Sequence, residues 1–240
     1  MPAANFTYAA QARLKRYLNR PGYIIPSGLG EKHSACSVAA INLAINGELT
    51  DSIPDCMSRV IGRWIIEVQD RMPSELRNSE RWKTALVYAP GTGRHYEDER
   101  TNMLLDWMWR TVLPAGQPVA DKHGFGEKWR HMCEQRTKEA ANELPRAILE
   151  ATSGAPTYSH FSPDCAEKVP MLYEVSRYCS SSAYAAAFAA INAGDSKVGF
   201  AMSYVLDMSN DPNIWDRFNP IGLLEHLVWY KAIGRVVYVE

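Results

Sequence analysis

The clearest pattern of apolar and polar positions lies between residues 57 and 72. Apolar side chains recur there at steps of three or four, and most of the positions between them are charged. The apolar series is Met57, Val60, Ile61, Trp64, Ile65, Val68 and Met72. This spacing is the period of an amphipathic α-helix. The segment therefore predicts a helix with one buried face that ends at Pro73.

Capping residues and helix breakers divide most of the remaining chain into further helices. The predicted ranges are 5–19, 35–46 after Ser34 as N-cap, 79–86, 97–112, 117–144 with a break near 124–126, 163–192 interrupted at Pro170, 198–208, and a last helix from Asn219-Pro220. We expect a mainly α fold, a compact bundle of many helices joined by short connections. We expect one domain over residues 1–240, with a possible sub-boundary near 152–163.

Two features go beyond this helical pattern. Tyr23–Ile25, in the N-terminal loop, and the C-terminal segment 235–239 have strand character, so we expect them to form one small two-stranded sheet. Trp107 and Trp109 lie two residues apart on a predicted helix and cannot face the same way. One of them should therefore lie near a surface or an interface.

Composition and charge exclude several classes of protein. The 240 residues carry a formal net charge of -1, without the basic excess typical of nucleic-acid binding. The chain contains no run of about 18 apolar residues, so no membrane span is expected. Five cysteines, an odd number, and no recognisable secretory signal favour free thiols and a cytoplasmic protein.

Several segments resemble an uncharacterised group of bacterial, prophage and phage proteins. These segments are 53–58, 60–66, 69–70, 77–79, 91–94 and 105–109. The resemblance covers roughly residues 36–137 and 215–227, and the Ala-rich tract 183–193 is a short form of one common in the group. The group has no known function. The resemblance implies a phage or prophage origin and, from that context, a role in the contest between phage and host.

Cys36 is the first candidate for chemistry. It follows a glycine-containing loop and lies just after a predicted helix start, where the positive end of the helix would lower the thiol pKa. A thiol hydrolase needs a histidine partner, for which His160 is our first choice. His33, His123 and His226 are alternatives. The other interpretation is that Cys36 is a small buried apolar residue.

A second candidate is the segment Thr92, Gly93, Arg94 and His95, ahead of a predicted helix. Backbone amides at a helix start bind phosphate or carboxylate, and an arginine adds a bidentate donor. Such a site would make the chain a nucleotide- or anion-binding module. The competing interpretation is a tight turn between helices. His33 with Cys36 and His160 with Cys165 have tolerable spacing for zinc but lack the paired cysteines of strong zinc motifs, so we predict no metal and no cofactor.

The sequence favours a non-enzymatic helical binding protein of phage or prophage type. Its partner would be a host protein or a small-molecule ligand, and nucleic acid and membranes are not expected as partners. A cysteine-dependent hydrolase using Cys36 and an anion-binding module using Arg94 are the two alternatives.

Overall fold

The computed structural model describes residues 6–152, 179, 181–187, 197–209 and 211–230. These residues are mainly helical with one small antiparallel sheet, which confirms the predicted fold class. They belong to two compact units, one formed by Met1–Met103 with Asn219–Glu240 and the other by Leu104–Phe218. The single domain with a sub-boundary near 152–163 stays a prediction, because residues 153–178 lie outside the described ranges.

The first unit consists of helices and one short hairpin. In chain order its elements are α1 (Tyr8–Leu18), β1 (Gly30–Glu31), β2 (Ser34–Ala35), α2 (Ser37–Ile45), α3 (Arg59–Gln69), α4 (Ser74–Arg77), α5 (Glu80–Tyr88), a 3₁₀ turn (Ala89–Thr92), the start of α6 (Glu97–Trp107) and, after the second unit, α13 (Pro220–Trp229). α2 packs against α1, α3 and α5, and α13 packs against α3 and α5. The almost fully buried α2 is therefore the centre of this unit.

The amphipathic helix predicted around residues 57–72 is α3. Ser58 caps its N-terminus by accepting a hydrogen bond from the Ile61 N–H (3.2 Å). Its buried face is the predicted apolar stripe, and the rings of Trp64 and Trp82 on α5 lie 6.1 Å apart. Each large aliphatic side chain buried in this way contributes roughly 1.5–3 kcal/mol to folding. The Trp82 indole N–H donates to the Ser37 hydroxyl (3.2 Å), so α5 is also fixed to α2.

The small sheet lies elsewhere than predicted. β1 and β2 form one hairpin within the N-terminal loop, with Gly30 opposite Ala35. Tyr23–Ile25 contains no strand, because side chains already satisfy the Ile25 backbone: its N–H donates to Asn78 Oδ1 (2.7 Å) and its carbonyl accepts from Arg77 Nε (2.9 Å). The other expected strand, 235–239, lies outside the described residues.

The second unit continues from α6 through irregular helical turns. Its elements are a π-helical turn (Met108–Val112), a 3₁₀ turn (Leu113–Gly116), α7 (Gln117–Lys122), α8 (Gly126–Gln135), α9 (Lys138–Thr152), α10 (181–187), α11 (Lys197–Met208) and α12 (Ile214–Phe218). α11 packs on the π and 3₁₀ turns, and α8 packs against α7 and α9. The predicted break near residues 124–126 is confirmed by the end of α7 and the start of α8. The predicted helix 163–192 is described only at residue 179 and residues 181–187.

The tryptophan prediction is wrong, because both Trp107 and Trp109 are buried. The helix changes from α to π at Met108, and a π turn holds one residue more than an α turn. Both α11 and α12 pack on this turn. The Trp107 indole N–H donates to the Phe218 carbonyl of α12 (2.7 Å). The side chains of Trp107 and Trp109 are therefore not oriented as they would be in a regular α-helix, and both can be buried.

Within the described ranges, every helix is too short or too polar to span a lipid bilayer.

Gly116 provides a test of the packing in the second unit. A Cβ atom at this position would lie 2.8 Å from Cζ2 of Trp129, a ring held in place because its indole N–H donates to the Leu113 carbonyl (2.8 Å). We expect Gly116→Ala to lower the free energy of unfolding by about 1–3 kcal/mol through overpacking, measured by urea denaturation.

Gly91→Ala is the matched control. Its added Cβ would meet nothing closer than 3.9 Å, and the residue has no positive φ. The expected change is within about 0.5 kcal/mol. Equal losses for the two variants would contradict the packing described around Trp129.

Candidate functional site

Cys36 is the N-cap of α2 and not, as predicted, a residue inside the first turn. Its Sγ accepts a hydrogen bond from the Ala39 N–H at 3.4 Å. The helix begins at Ser37, and the expected N-cap Ser34 instead lies in β2, where its hydroxyl donates to the Ile24 carbonyl (2.7 Å). The helix starts later than the sequence suggested because the hairpin holds residues 34–35 in a strand.

The neighbours of Cys36 close the N-terminus of α2 on several sides. The Ser37 N–H donates to Gln69 Oε1 (2.9 Å), and the Tyr23 hydroxyl donates to the Ala35 carbonyl (2.6 Å). Cys36 is only 2% exposed. Burial raises the pKa of Cys36 by desolvation, and the backbone and Gln69 hydrogen bonds oppose this only in part. This is the reverse of the lowered pKa that the helix position suggested.

No histidine side chain hydrogen-bonds to the thiol in the described part of this unit. His33 is exposed, and its backbone carbonyl, not its ring, accepts a hydrogen bond from Arg20. His226 is exposed on α13. The preferred partner His160 and the second half of the zinc pattern, with Cys165, lie outside the described residues. Among the described residues, no group of three His, Cys, Asp or Glu side chains is placed to hold a metal ion.

The Thr92–His95 segment forms a turn in which the Thr92 hydroxyl and the Gly93 amide are already engaged, whereas Nη1 of Arg94 is buried and has no hydrogen-bond partner among the described residues. The Thr92 hydroxyl donates to the Ala89 carbonyl (2.7 Å) and accepts from the Ser58 N–H (3.0 Å). The Gly93 N–H donates to the Cys56 carbonyl (2.9 Å), which requires the positive φ of +56° at Gly93. The expected free amides are therefore not available at this residue, and α6 begins only at Glu97.

Arg94 and His95 face different groups. The Arg94 guanidinium lies 3.3 Å from the exposed Asp55 carboxylate. His95 is exposed, and its backbone carbonyl accepts a hydrogen bond from Arg100. The structure thus brings Thr92, Gly93 and Arg94 against the 54–58 segment. It does not align them around a common anion position.

An anion of the chain itself occupies a helix N-terminus beside this turn. Glu97 Oε2 accepts hydrogen bonds from the Arg59 N–H (3.0 Å) and the Val60 N–H (3.2 Å) at the start of α3. Its other oxygen lies 3.8 Å from the Arg100 guanidinium. The positive end of α3 and a buried cation therefore both act on one carboxylate.

Arg100 is a residue that the sequence interpretation missed. It is 2% exposed, and its Nε donates to the Leu227 carbonyl near the end of α13 (3.1 Å). Burial lowers its pKa, an effect opposed by the Glu97 and Glu99 carboxylates. A signal was present in the sequence: Arg100 falls in phase with the apolar residues Met103, Leu104 and Trp107, on the face where a charge is unexpected.

Two pairs of aromatic side chains involve residues close in sequence to the carbonyls that Arg100 binds, and we call the four residues the aromatic patch: Tyr88 with Trp229, and Tyr96 with Tyr230. The rings of Tyr88 and Trp229 are 6.2 Å apart, and those of Tyr96 and Tyr230 are 5.9 Å apart in edge-to-face geometry. Tyr88 and Trp229 are each 41% exposed.

Backbone constraints fix both sides of the aromatic patch. Arg100 binds the carbonyl of His95, the residue before Tyr96, and the carbonyl of Leu227, two residues before Trp229. Tyr96 itself has a φ of +61°, a conformation that is unfavourable for a bulky side chain. The surrounding contacts therefore hold a strained residue within an exposed surface, an arrangement often found at functional sites.

No protein-family model matches this chain, and no significantly similar curated protein or solved structure was found. The similarity to phage and prophage proteins therefore stays an expectation from the sequence.

Substitutions at Cys36 can distinguish its role as the cap of α2 from any reactivity of its thiol. We expect Cys36→Ala, which removes the acceptor for the Ala39 N–H, to lower the free energy of unfolding by about 1 kcal/mol. Cys36→Ser keeps an acceptor and should change it less. In the native protein, iodoacetamide should modify Cys36 slowly. Fast modification at neutral pH would contradict a purely structural thiol.

The raised pKa of the Cys36 thiol predicts that the protein loses stability at alkaline pH. An unfolded thiol ionises near pH ~8.5, whereas burial raises the folded pKa of Cys36 and raises that of Cys56 to about 11. The folded state then binds more protons than the unfolded state, so the free energy of unfolding falls as the pH rises through this window. Urea titrations should show a shallower fall for Cys36→Ser, whose hydroxyl does not ionise.

The carboxylate of Glu97 should contribute measurably to stability. Glu97→Gln keeps an oxygen for the α3 amides but removes the charge facing Arg100. Because Glu97 is partly exposed, we expect a loss of about 1–2 kcal/mol in the free energy of unfolding. Asp98→Asn, on the same turn but exposed, is the control and should change it by less than about 0.5 kcal/mol. Equal effects would contradict the arrangement around Arg100.

Proposed function

We propose that this chain is a non-enzymatic helical binding protein that holds its partner at the aromatic patch. One observation carries the proposal: exposed Tyr88 and Trp229 are in ring contact, and Trp229 is followed by Tyr230, whose ring contacts Tyr96. Arg100 fixes the backbone next to both pairs through the Leu227 and His95 carbonyls. Tyrosine and tryptophan are enriched among the residues that dominate binding energy at protein interfaces.

The rigidity of the aromatic patch supports a role in binding. A surface that is already ordered loses less conformational entropy when a partner binds. The bidentate contact of Arg81 with Glu225 (3.0 and 2.6 Å) joins α5 to α13, the two helices that carry Tyr88 and Trp229. Both helices are thus linked at the surface by this pair and in the interior by packing.

The proposal also includes the kind of partner that the aromatic patch binds. The resemblance to phage and prophage proteins favours a host protein, bound in the cytoplasm so that a host system is counteracted. A small-molecule ligand that is sequestered is the other possibility.

The two alternative functions use groups that already serve the fold. Cys36 caps α2 with a raised thiol pKa, and Glu97 already occupies the N-terminus of α3, which begins directly after the 54–58 segment that Arg94 contacts. A thiol hydrolase or an anion-binding module would have to release these contacts. Both stay hypotheses of lower rank than binding at the aromatic patch.

A photo-crosslinking experiment tests the proposal. The photoreactive amino acid p-benzoylphenylalanine replaces Trp229, and in a second variant Tyr184 on α10, which is also exposed. After irradiation in a bacterial lysate, we expect a discrete adduct from position 229 that is absent from position 184, and native mass spectrometry of the purified chain covers the small-molecule case. Truncation by Tyr88→Ala should then reduce the yield of the adduct at position 229.

Two results would contradict the proposal. One is the absence of both a position-specific adduct and a co-purified small molecule. The other is an adduct that forms equally from positions 229 and 184, since this would indicate random collision and not a docking surface.

A further inference from the structure

The N-terminal part of the chain has a net positive charge, although the whole chain is nearly neutral. Between residues 6 and 47 it has five basic residues and one acidic residue, although the complete chain has a net charge of -1. The basic residues are Arg13, Lys15, Arg16, Arg20 and Lys32, and the acidic residue is Glu31. All of them belong to α1 or to the loop of residues 19–36 that follows it.

In the described part of the chain, most of these cations form no ion pair. Among the described residues, no carboxylate lies within ion-pair distance of Arg13, Lys15, Arg16 or Lys32. Elsewhere in the described chain several exposed arginines are paired, for example Arg81 with Glu225 and Arg217 with Asp211. Lys15, Arg16 and Lys32 are all exposed. The exposed carboxylates of Glu31, on the loop, and of Asp70, which accepts from the Gly28 N–H, also belong to this region, so its surface is basic in balance on a nearly neutral protein.

Two large aliphatic side chains are exposed on the same loop. Ile24 is 55% exposed and Leu29 is 42% exposed. Single exposed aliphatic residues are common on protein surfaces. Here, however, both belong to a loop whose backbone is held firmly, so their positions are fixed.

Hydrogen bonds within the loop and one to Asp70, after α3, hold this loop. The Gly28 N–H donates to Asp70 Oδ1 (2.7 Å), the Ser34 hydroxyl donates to the Ile24 carbonyl (2.7 Å), and the Cys36 N–H donates to the Leu29 carbonyl (3.0 Å). The backbone on either side of Ile24 and Leu29 is therefore tied down. Asn78 and Arg77 fix Ile25 in the same way, as described above.

Arg20 and Tyr17 join the loop to α1. The Tyr17 hydroxyl donates to the Lys32 carbonyl (2.7 Å), and Arg20 donates to the His33 carbonyl. The Arg20 guanidinium also lies over the rings of Tyr17 (4.6 Å) and Tyr23 (5.1 Å). These contacts place the cations of α1 and the exposed residues of the loop on connected elements. We call Lys15, Arg16, Ile24, Leu29 and Lys32 the basic–apolar face.

We propose that the basic–apolar face docks an acidic protein segment that also carries aliphatic or aromatic side chains. Unpaired lysines and arginines attract carboxylates and raise the rate of association. Ile24 and Leu29 would be covered by the apolar side chains of the same segment. This surface goes beyond the function proposed above and does not depend on the aromatic patch.

A protein segment fits this face better than a nucleic acid. Single-stranded nucleic acids are bound by aromatic side chains on which bases stack, within a basic groove. The side chains exposed here are aliphatic and have no such stacking surface. The combination of fixed aliphatic residues with unpaired cations on α1 and on the same loop matches a peptide in which acidic and apolar residues are mixed.

Selection from a library of random peptides displayed on phage tests the proposal with the full chain as bait. We expect the selected peptides to be enriched in Asp and Glu together with Leu, Ile or Phe. A fluorescein-labelled synthetic peptide from the most enriched group then serves as the probe in fluorescence anisotropy. Its affinity should fall at least about tenfold in Lys15→Glu/Lys32→Glu, and it should also fall at high salt.

Two further variants separate the contributions. Lys128→Glu/Lys138→Glu changes the net charge equally at exposed positions of α8 and α9, and it should leave the affinity within about twofold of the unmodified chain. Ile24→Ser/Leu29→Ser should weaken binding about tenfold even at high salt, because it removes the apolar contacts. Circular dichroism checks that each variant is folded.

Three outcomes would overturn the proposal. The selected peptides could lack acidic residues, or the two pairs of charge reversals could have equal effects. A single-stranded oligothymidylate could displace the peptide and lose its own binding in Lys15→Glu/Lys32→Glu, which would indicate a nucleic-acid surface instead. Since the aromatic patch is unchanged in all these variants, none of these outcomes bears on the binding proposed there.

Discussion

The buried guanidinium of Arg100 is the constraint on which the first unit depends. A charge removed from water is costly unless hydrogen bonds and an opposite charge compensate for it. The compensation comes from the Leu227 carbonyl on α13, the His95 carbonyl before α6, and Glu97, whose carboxylate also binds the start of α3. Three helices are thereby held in one arrangement, because separating any of them would leave a buried charge or a helix amide without a partner.

The same requirement explains why residues of the candidate sites also make contacts that serve the scaffold. The first amides of a helix need acceptors, and a thiol, a hydroxyl or a carboxylate can supply one. Cys36 does so for α2, Ser58 and Glu97 for α3, and the Thr92 hydroxyl accepts from the Ser58 N–H in turn. A residue that caps a helix and a residue that binds a ligand have the same chemistry, so the sequence alone could not distinguish the two roles.

Local patterns predicted the regular parts of the fold and missed those that depend on long-range contacts. The apolar stripe of α3, the Ser79 cap of α5 and the start of α13 at Asn219-Pro220 all follow from spacing or propensity, and they are present. The hairpin of residues 30–35 depends on Tyr17 of α1 and on Arg20, and Arg100 depends on the Leu227 carbonyl, more than a hundred positions away. The aromatic patch was missed for the same reason, since Tyr88 and Trp229 meet only after folding.

The π-helical turn Met108–Val112 has a consequence for the evolution of the chain. A π turn contains one residue more than an α turn, so it is equivalent to a single-residue insertion. Removing one residue there would restore regular α-helical hydrogen bonding but rotate the following backbone by roughly 100°. The Leu113 carbonyl would then turn away from the Trp129 indole. Homologues that retain this contact must therefore conserve the length of the segment, and an alignment gap at this point would identify proteins whose second unit is packed differently.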